Sequence, residues 1–538
     1  MEKLLPLLTR LAITVSSILL LTPLSCWCSC ETTDQSLTLP DLPLEHLKRY
    51  LNTFDKVKQE CQNKTELLQK ISQKDNKGCW GHESHCTKEN RFQTPICPGS
   101  HTGWVRNKES QIETFYQQAD FGYIKHQINE MKLMCEPKLI TDSSLECTEY
   151  LRFCRGRYLM LDFRDLAKRH ERIRYHMDVL QKGQIQGYCQ LNETRLKSQM
   201  DHMGALQSWS PELRNFIEAT EPIEESNEQC DMFINTPTFA MKIDATYNMY
   251  HHFCDFFNLY ATLFVNQTHS SVFDRNTQII VWETYPYDSP FKDTFKAFSD
   301  NPVWTLDQVK GKRICFRNIV FPLLPRMIFG LYYNTPIIQG CEKSGLFRAF
   351  SEFILHRLKI PFEEPKDNKI RVTFLSRRTK YRRALNEDEL LQEISKNENF
   401  IIKKISYERD LTFLQQLEVT RNTDILIGMH GAGLTHLLFL PEWAAIFELY
   451  NCEDPNCYKD LARLRGVYYV TWEERELVYP EDEGHHPEGG AHAKFTNYAF
   501  DAKEFARLVC KAATHVRNHE EFKKFHMETL TTTSKDEL

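Results

Sequence analysis

Several signatures are missing from these 538 residues, and each absence closes a class of function. No GxGxxG follows the first strand of the alternating C-terminal pattern, which excludes a dinucleotide dehydrogenase by motif. No GxxxxGK[ST] is present either, arguing against a phosphoryl-transfer ATPase. Neither sign of charge dominates. Lys plus Arg number 67 against 73 Asp plus Glu, a net charge of -6, so no basic field points to nucleic acid. The clustered C-x₂-C spacing of structural zinc is absent despite 18 cysteines. No helical repeat is visible. The apolar run from Leu11 to Leu21 is short for a spanning helix, which needs about 20 residues.

What is present begins with that run. Lys3 and Arg10 precede it, and small residues with Cys26, Cys28 and Cys30 follow, a signal-peptide layout over residues 1–29 with no stable membrane insertion after cleavage. Lys535, Asp536, Glu537 and Leu538 spell the retention address read by the KDEL receptor, so the expected location is the endoplasmic-reticulum lumen. Asn63, Asn192 and Asn266 each head an Asn-x-Ser/Thr triplet, consistent with a lumenal glycoprotein. Cleavage drops Cys26 and Cys28 and leaves 16 cysteines, an even number suited to disulfides.

Residues 30–230 form a polar region holding most of the cysteines. His82 and His85 within Cys79–Cys97 invite a zinc reading, but an oxidising lumen favours a disulfide-stapled, loop-rich lobe. The basic run Lys168–Tyr175 reads as a solvated helix face. Residues 231–361 open on YNMYHHFCDFFNLY, in which His251 and Asp255 are spaced to share a helix face. A carboxylate among so many aromatics is either a structural feature or a group held for chemistry, since partial burial raises its pKa toward that of a general base. Strands are expected at Gln278–Trp282 and Ile314–Phe321, and a helix at Gly345–Ile360.

The charged linker 362–368 precedes a regular pattern over residues 369–520, with residues 521–538 as a tail. Ile370–Leu375, Phe400–Ser406, Asp424–Gly428, Ala444–Tyr450 and Val467–Trp472 read as strands separated by short helices, implying a doubly wound parallel α/β sheet. In its middle, DILIGMHGAGLTHLLFL reads as strand, small-residue turn and apolar helix over Leu434–Leu440. The turn His430, Gly431, Ala432 and Gly433 is either a tight connection or an anion site, where unpaired N–H groups and the helix dipole point at a phosphate. At the same rim lie Arg377, Arg378 and Arg382, able to clamp a diphosphate, and Glu448, able to accept from ribose hydroxyls. A nucleotide diphosphate held as leaving group, facing a second lobe that brings acceptor and base, describes a two-lobed sugar transferase.

Met429–Thr435 with the following LLFLP resembles the C-terminal signature of the glycosyltransferases grouped with plant β-1,2-xylosyltransferase and O-mannose β-1,4-N-acetylglucosaminyltransferase. From about residue 230 onward HHFCDFFNLY, FPLLPRM, GLFRAF, DLARLRGV and KFTNY resemble the branch of that family acting on EGF-like repeats. The resemblance implies an α/β, two-lobed GT-B-type fold with Rossmann-like doubly wound lobes beside the cysteine-rich N-terminal region. It implies inverting transfer of N-acetylglucosamine from UDP-GlcNAc to Ser or Thr of folded EGF-like repeats, Notch-type proteins among them. Asp255, with His251 or His252, would be the base. The alternatives are a lumenal lectin or chaperone with a degenerate transferase fold, or a transferase using another UDP-sugar such as UDP-xylose. The counterpart of the family's Asp-x-Asp-like motif is Asp300-Asn301-Pro302, which lacks the second carboxylate. Asp300 alone is a poor Mn²⁺ ligand set, so no obligatory metal is expected.

Overall fold

The computed structural model describes residues 29–31, 36–54, 57, 78–99, 105–174, 176–200, 204–225, 228–267, 270–333, 335, 340–407, 411–449 and 456–525. The leader through residue 28, the Asn63 triplet and the KDEL ending lie outside them. Two large sheets organise these residues.

The first has eleven strands and two characters. Trp304–Thr305, Gln278–Val281, Thr238–Met241 and Arg313–Phe321 lie side by side and run parallel. Numbered by their appearance in the chain, these four follow the order 3-2-1-4, a doubly wound arrangement whose crossovers diverge between the first and fourth. Every residue of QIIV and TFAM is buried, as expected of parallel strands covered on both faces. Beyond Arg313–Phe321 the direction reverses. Cys154–Asp162 pairs with it antiparallel, followed by Ser144–Cys147 and Lys132–Glu136.

That antiparallel half bears on the boundary expected at residue 230. The boundary at residue 230 does not separate folding units, because strands from residues 132–162 complete the sheet of residues 231–361. The first sheet is accordingly mixed rather than wholly parallel. The basic run Lys168–Tyr175 is also no helix face: a short 3₁₀ turn ends at Lys168, and Arg169 pairs with Asp178 at 2.7 Å.

Disulfides Cys79–Cys86, Cys97–Cys341, Cys135–Cys189, Cys147–Cys154 and Cys230–Cys315 staple this half. Among the described residues the one cluster of metal-capable side chains is Cys79, Glu83 and Cys86, and the disulfide occupies both sulfurs. His82 Nε2 donates to Gln267 Oε1 at 2.7 Å instead. Cys97–Cys341 spans a sequence separation of 244 and ties the N-terminal region to the entry of the Gly345–Arg357 helix. Cross-linking so distant a pair removes much unfolded-state entropy. Replacing both cysteines by serine is expected to cost about 2–5 kcal/mol, read as a lower midpoint of thermal unfolding.

The second sheet contains Ile370–Leu375, Phe400–Ile405, Ile425–Met429, Ala445–Leu449 and Tyr468–Thr471, all parallel. Their spatial order is 2-1-3-4-5, with helices Glu387–Ser395, Phe413–Arg421, Cys457–Arg465 and Ala502–Asn518 following the strands. Here the expected α/β alternation holds, with boundaries shifted by a residue or two. One element differs: the apolar stretch after the glycine turn is a 3₁₀ helix, Ala432–Phe439. Its residues Leu434 to Phe439 are all buried.

The two halves meet through the helix Met249–Val265. It is buried on nearly every face, as expected of a helix apolar all round. Asn248 caps it by accepting from the Tyr250 N–H. Phe253 packs against Phe439 at 5.4 Å and Phe413 at 5.7 Å, both from the second sheet's connections.

Candidate active site

In a doubly wound sheet, ligands sit outside the carboxyl ends of the strands where the strand order reverses. Both sheets have such a point, and polar side chains gather at each.

In the second sheet the reversal lies between Ile370–Leu375 and Ile425–Met429. Arg377 and Arg382 leave the end of the first strand, His430 and Gly431 the end of the second. The His430 carbonyl accepts from Arg377 Nη1 at 3.2 Å and Arg382 Nη1 at 3.3 Å. Gly431 is needed for this approach, since a Cβ there would stand 2.1 Å from Arg377 Nη1. Arg382 is held with φ at 58°, and its N–H donates to the Thr496 carbonyl. Its buried Nε has no acceptor among the described residues. Two guanidinium groups and the opening of the 3₁₀ helix therefore converge on one spot, an arrangement suited to a diphosphate. Arg378 is exposed beside them.

Glu448 has a different task from the expected ribose contact. It is 2 % exposed, and its carboxylate engages His430 Nδ1 at 2.5 Å and accepts from the Tyr469 hydroxyl at 2.6 Å. Both oxygens are occupied inside the fold, so Glu448 acts on the rim by fixing the His430 ring. Tyr458 packs edge-on against that ring at 5.2 Å.

In the first sheet the reversal lies between Thr238–Met241 and Arg313–Phe321. Asp244 follows the former and Arg326 the latter. Asp244 Oδ2 meets His251 Nδ1 at 2.9 Å and accepts from Arg326 Nε at 2.8 Å. Burial raises the Asp244 pKa, but the hydrogen bonds from His251 and Arg326 outweigh it and hold the carboxyl below its ordinary value. The guanidinium of Arg326 lies 3.9 Å over the Tyr333 ring. Arg326 Nη2 also lies 3.1 Å from His251 Nδ1; in the tautomer that donates Nδ1–H to Asp244, Nε2 is the ring nitrogen left to accept a proton.

The sequence did not single out Asp244 or Arg326, and the expected His251–Asp255 pair is not made. Asp255 is buried and accepts the Asp244 N–H at 3.1 and 3.2 Å. Its other partner is His252, at 3.0 Å, whose Nε2 meets the Tyr287 hydroxyl at 2.7 Å. Asp255 and His252 are buried behind the rim, where Asp255 holds the backbone N–H of Asp244.

The buried pair gives a signed pH dependence. Burial pushes Asp255 well above its ordinary value and His252 down to about 3. Folded, the pair keeps one proton; unfolded, it holds two below about 3.9, one between about 3.9 and 6.5, and none above. Its contribution to stability is thus level between those values and falls as the pH rises above about 6.5. Asp255→Asn removes the carboxyl and leaves only the depressed histidine, which costs stability as the pH falls below about 6.5. Urea denaturation between pH 5 and 8 is expected to show stability lost above about pH 6.5 in the wild type and below it in the variant.

The two rims face each other across aromatic rings. His430 packs on Tyr458, Tyr458 on Tyr250 at 5.6 Å, and Tyr250 on His251 at 5.7 Å. Asp300 lies elsewhere. It pairs with Arg275 at 3.3 Å, and the adjacent Asn301 donates to the Thr277 carbonyl, which precedes a strand of the first sheet. That is the opposite end from Asp244, and these residues do not fit a metal serving the rim. Asn192 is exposed and caps a short helix, while Asn266 is half-buried at the end of the aromatic helix. Among the described residues no helix is long and apolar enough to cross a membrane.

An anion-holding turn opposite a carboxylate-backed histidine is the layout of a group transferase with a phosphorylated donor, and comparison with known proteins narrows it to glycosyl transfer. The family model described as Glycosyltransferase 61 matches residues 249–447, which include His251, Arg326, Arg377, Arg382 and His430, and the chain belongs to that family. It is 66 % identical over 502 residues to the EGF domain-specific O-linked N-acetylglucosamine transferase of Drosophila melanogaster, covering 93 % of this chain and 95 % of that one. The protein of the same name from Rattus norvegicus is 48 % identical over 493 residues, covering 90 % and 92 %. That from Gallus gallus is 46 % identical over 491 residues, covering 89 % and 90 %. The protein is a glycosyltransferase and uses a nucleotide-sugar donor.

Proposed function

We propose that the protein transfers N-acetylglucosamine from UDP-GlcNAc to Ser or Thr hydroxyls of folded EGF-like domains, with inversion, in the endoplasmic-reticulum lumen. The observation that carries this reading is the near full-length similarity to a transferase named for that sugar and acceptor domain. Arg377, Arg382 and the turn at His430 to Gly433 receive the diphosphate, and their fixed positive charge offsets the negative charge that grows on UDP as it leaves. His251, oriented by Asp244, takes the proton from the acceptor hydroxyl as the new bond to the sugar's anomeric carbon forms. Five disulfides support an oxidising compartment.

The test is radiolabel transfer from UDP-GlcNAc to a purified, folded EGF repeat, with UDP-xylose as competing donor. Label on the repeat from UDP-GlcNAc is expected. Binding of the repeat without transfer would mark a lectin or chaperone, and preference for UDP-xylose would change the donor.

A further inference from the structure

A second cavity, of about 480 Å³, opens at the far end of the aromatic helix. Its walls come from the loop stapled by Cys79–Cys86 and from two consecutive helices, Lys108–Ala119 and Phe121–Asn129. His82 and Phe121, neighbours of the lining Gly81 and Gly122, pack on Phe264 at 5.6 and 5.1 Å. Phe264 is roughly 20 Å along the helix from His251, at 1.5 Å per residue.

The floor is built around Tyr116. A Cβ at Gly81 would stand 2.1 Å from its hydroxyl, and one at Gly122 would stand 2.7 Å from its ring. Over that ring, 4.0 Å from its centroid, lies the guanidinium of Arg91. The Arg91 side chain is only 4 % exposed, yet its Nε and Nη2 have no hydrogen-bond acceptor among the described residues. Glu113 stays 3.9 Å from Arg91 and 3.9 Å from Lys88, too far to satisfy either by hydrogen bonding. Lys88 and Lys125 stand exposed at the mouth, so three lining cations face one carboxylate on a protein of net charge -6. A buried guanidinium with orphaned donors is costly to keep unless something accepts from it. An oxyanion can take both donors at once through the planar fork.

We propose that this cavity is a ligand site separate from the donor rim, taking a ligand whose carboxylate or phosphate pairs with Arg91 while Lys88 and Lys125 hold the entrance. The volume exceeds that of a bare anion and lies in the range of small-molecule pockets, so the ligand carries more than its charged group.

Calorimetry on the full chain, with saturating UDP to occupy the donor rim, tests this with inorganic phosphate and with a tetraglutamate peptide as probes. Saturable binding of at least one is expected, weakened at least tenfold by Lys88→Ala with Lys125→Ala and lost in Arg91→Gln. Transfer at saturating donor is expected to be unchanged in the lysine variant. Phosphate without peptide identifies a phosphate ligand, and peptide without phosphate an acidic segment. No binding of either probe, or binding untouched by the lysine pair, overturns the site. The lysines are exposed, so their result stands even if Arg91→Gln fails to fold.

Discussion

His251→Ala is expected to lower kcat for transfer to an EGF repeat by about 10²–10⁴-fold, the usual contribution of a positioned proton acceptor, with the Kd for UDP unchanged. The separation of the two effects comes from the fold. His251 belongs to the rim of the first sheet and touches Asp244 and the Tyr250 and Tyr333 rings. The arginines around the His430 carbonyl belong to the other sheet. Asp244→Asn keeps the shape but can no longer accept the Nδ1–H as a charged partner, so it is expected to reduce kcat by a smaller factor. Arg326 also loses its charged partner in that variant. Its thermal midpoint therefore has to be measured alongside, to separate loss of fold from loss of chemistry. Turnover of His251→Ala within threefold of the wild type would falsify the assignment and send the search for the base to another group on that rim.

The structure sets Asp255 apart from the rim that the sequence pattern points it to. From the sequence, an Asp four residues after a His among aromatics looks like a catalytic pair. The helix does form, over Met249–Val265, but its first turn faces the rim while Asp255 already points into the core. The carboxylate that meets His251 instead lies before the helix, in a short loop with no motif of its own. Its position was the available signal: an acidic residue just past the carboxyl end of a buried strand and just before a capped helix is where doubly wound sheets hold ligands.

The second sheet was legible almost throughout, because its strands are short apolar runs bounded by polar turns, and each pairs with strands nearby in sequence. Ile370–Leu375 falls where the apolar pattern places it. The first sheet was not, because Cys154–Asp162 finds its partner at Arg313–Phe321, more than 150 residues away, and no local pattern records that register. Glu448 shows a third kind of gap. Its place at the rim could be read, but whether its oxygens face a ligand or His430 depends on Tyr469, contributed by the next strand.

The second large effect is expected at Arg382, where binding can be moved while stability stays nearly level. Its left-handed backbone, φ 58°, costs a non-glycine residue of order 1 kcal/mol, and the Thr496 carbonyl holds it there. Glycine adopts that conformation without steric cost. Arg382→Gly therefore relieves strain, offset by the greater freedom of glycine in the unfolded chain, and the thermal midpoint is expected to stay nearly level. The side chain, in contrast, offers a buried Nε with no acceptor among the described residues and an Nη1 on the His430 carbonyl. Losing a charge-assisted contact of about 1.5–3 kcal/mol raises the Kd for UDP roughly 10- to 100-fold. Arg378→Ala, removing an exposed cation next to the turn, is expected to change it only severalfold. Gly431→Ala supplies an independent route to the same loss, because the new Cβ takes the place of Arg377 Nη1 and forces that guanidinium off the carbonyl. If calorimetry gave Arg382→Gly the wild-type affinity for UDP, the strained arginine would be serving the fold alone, and the diphosphate would have to be held by Arg377 and the turn without it.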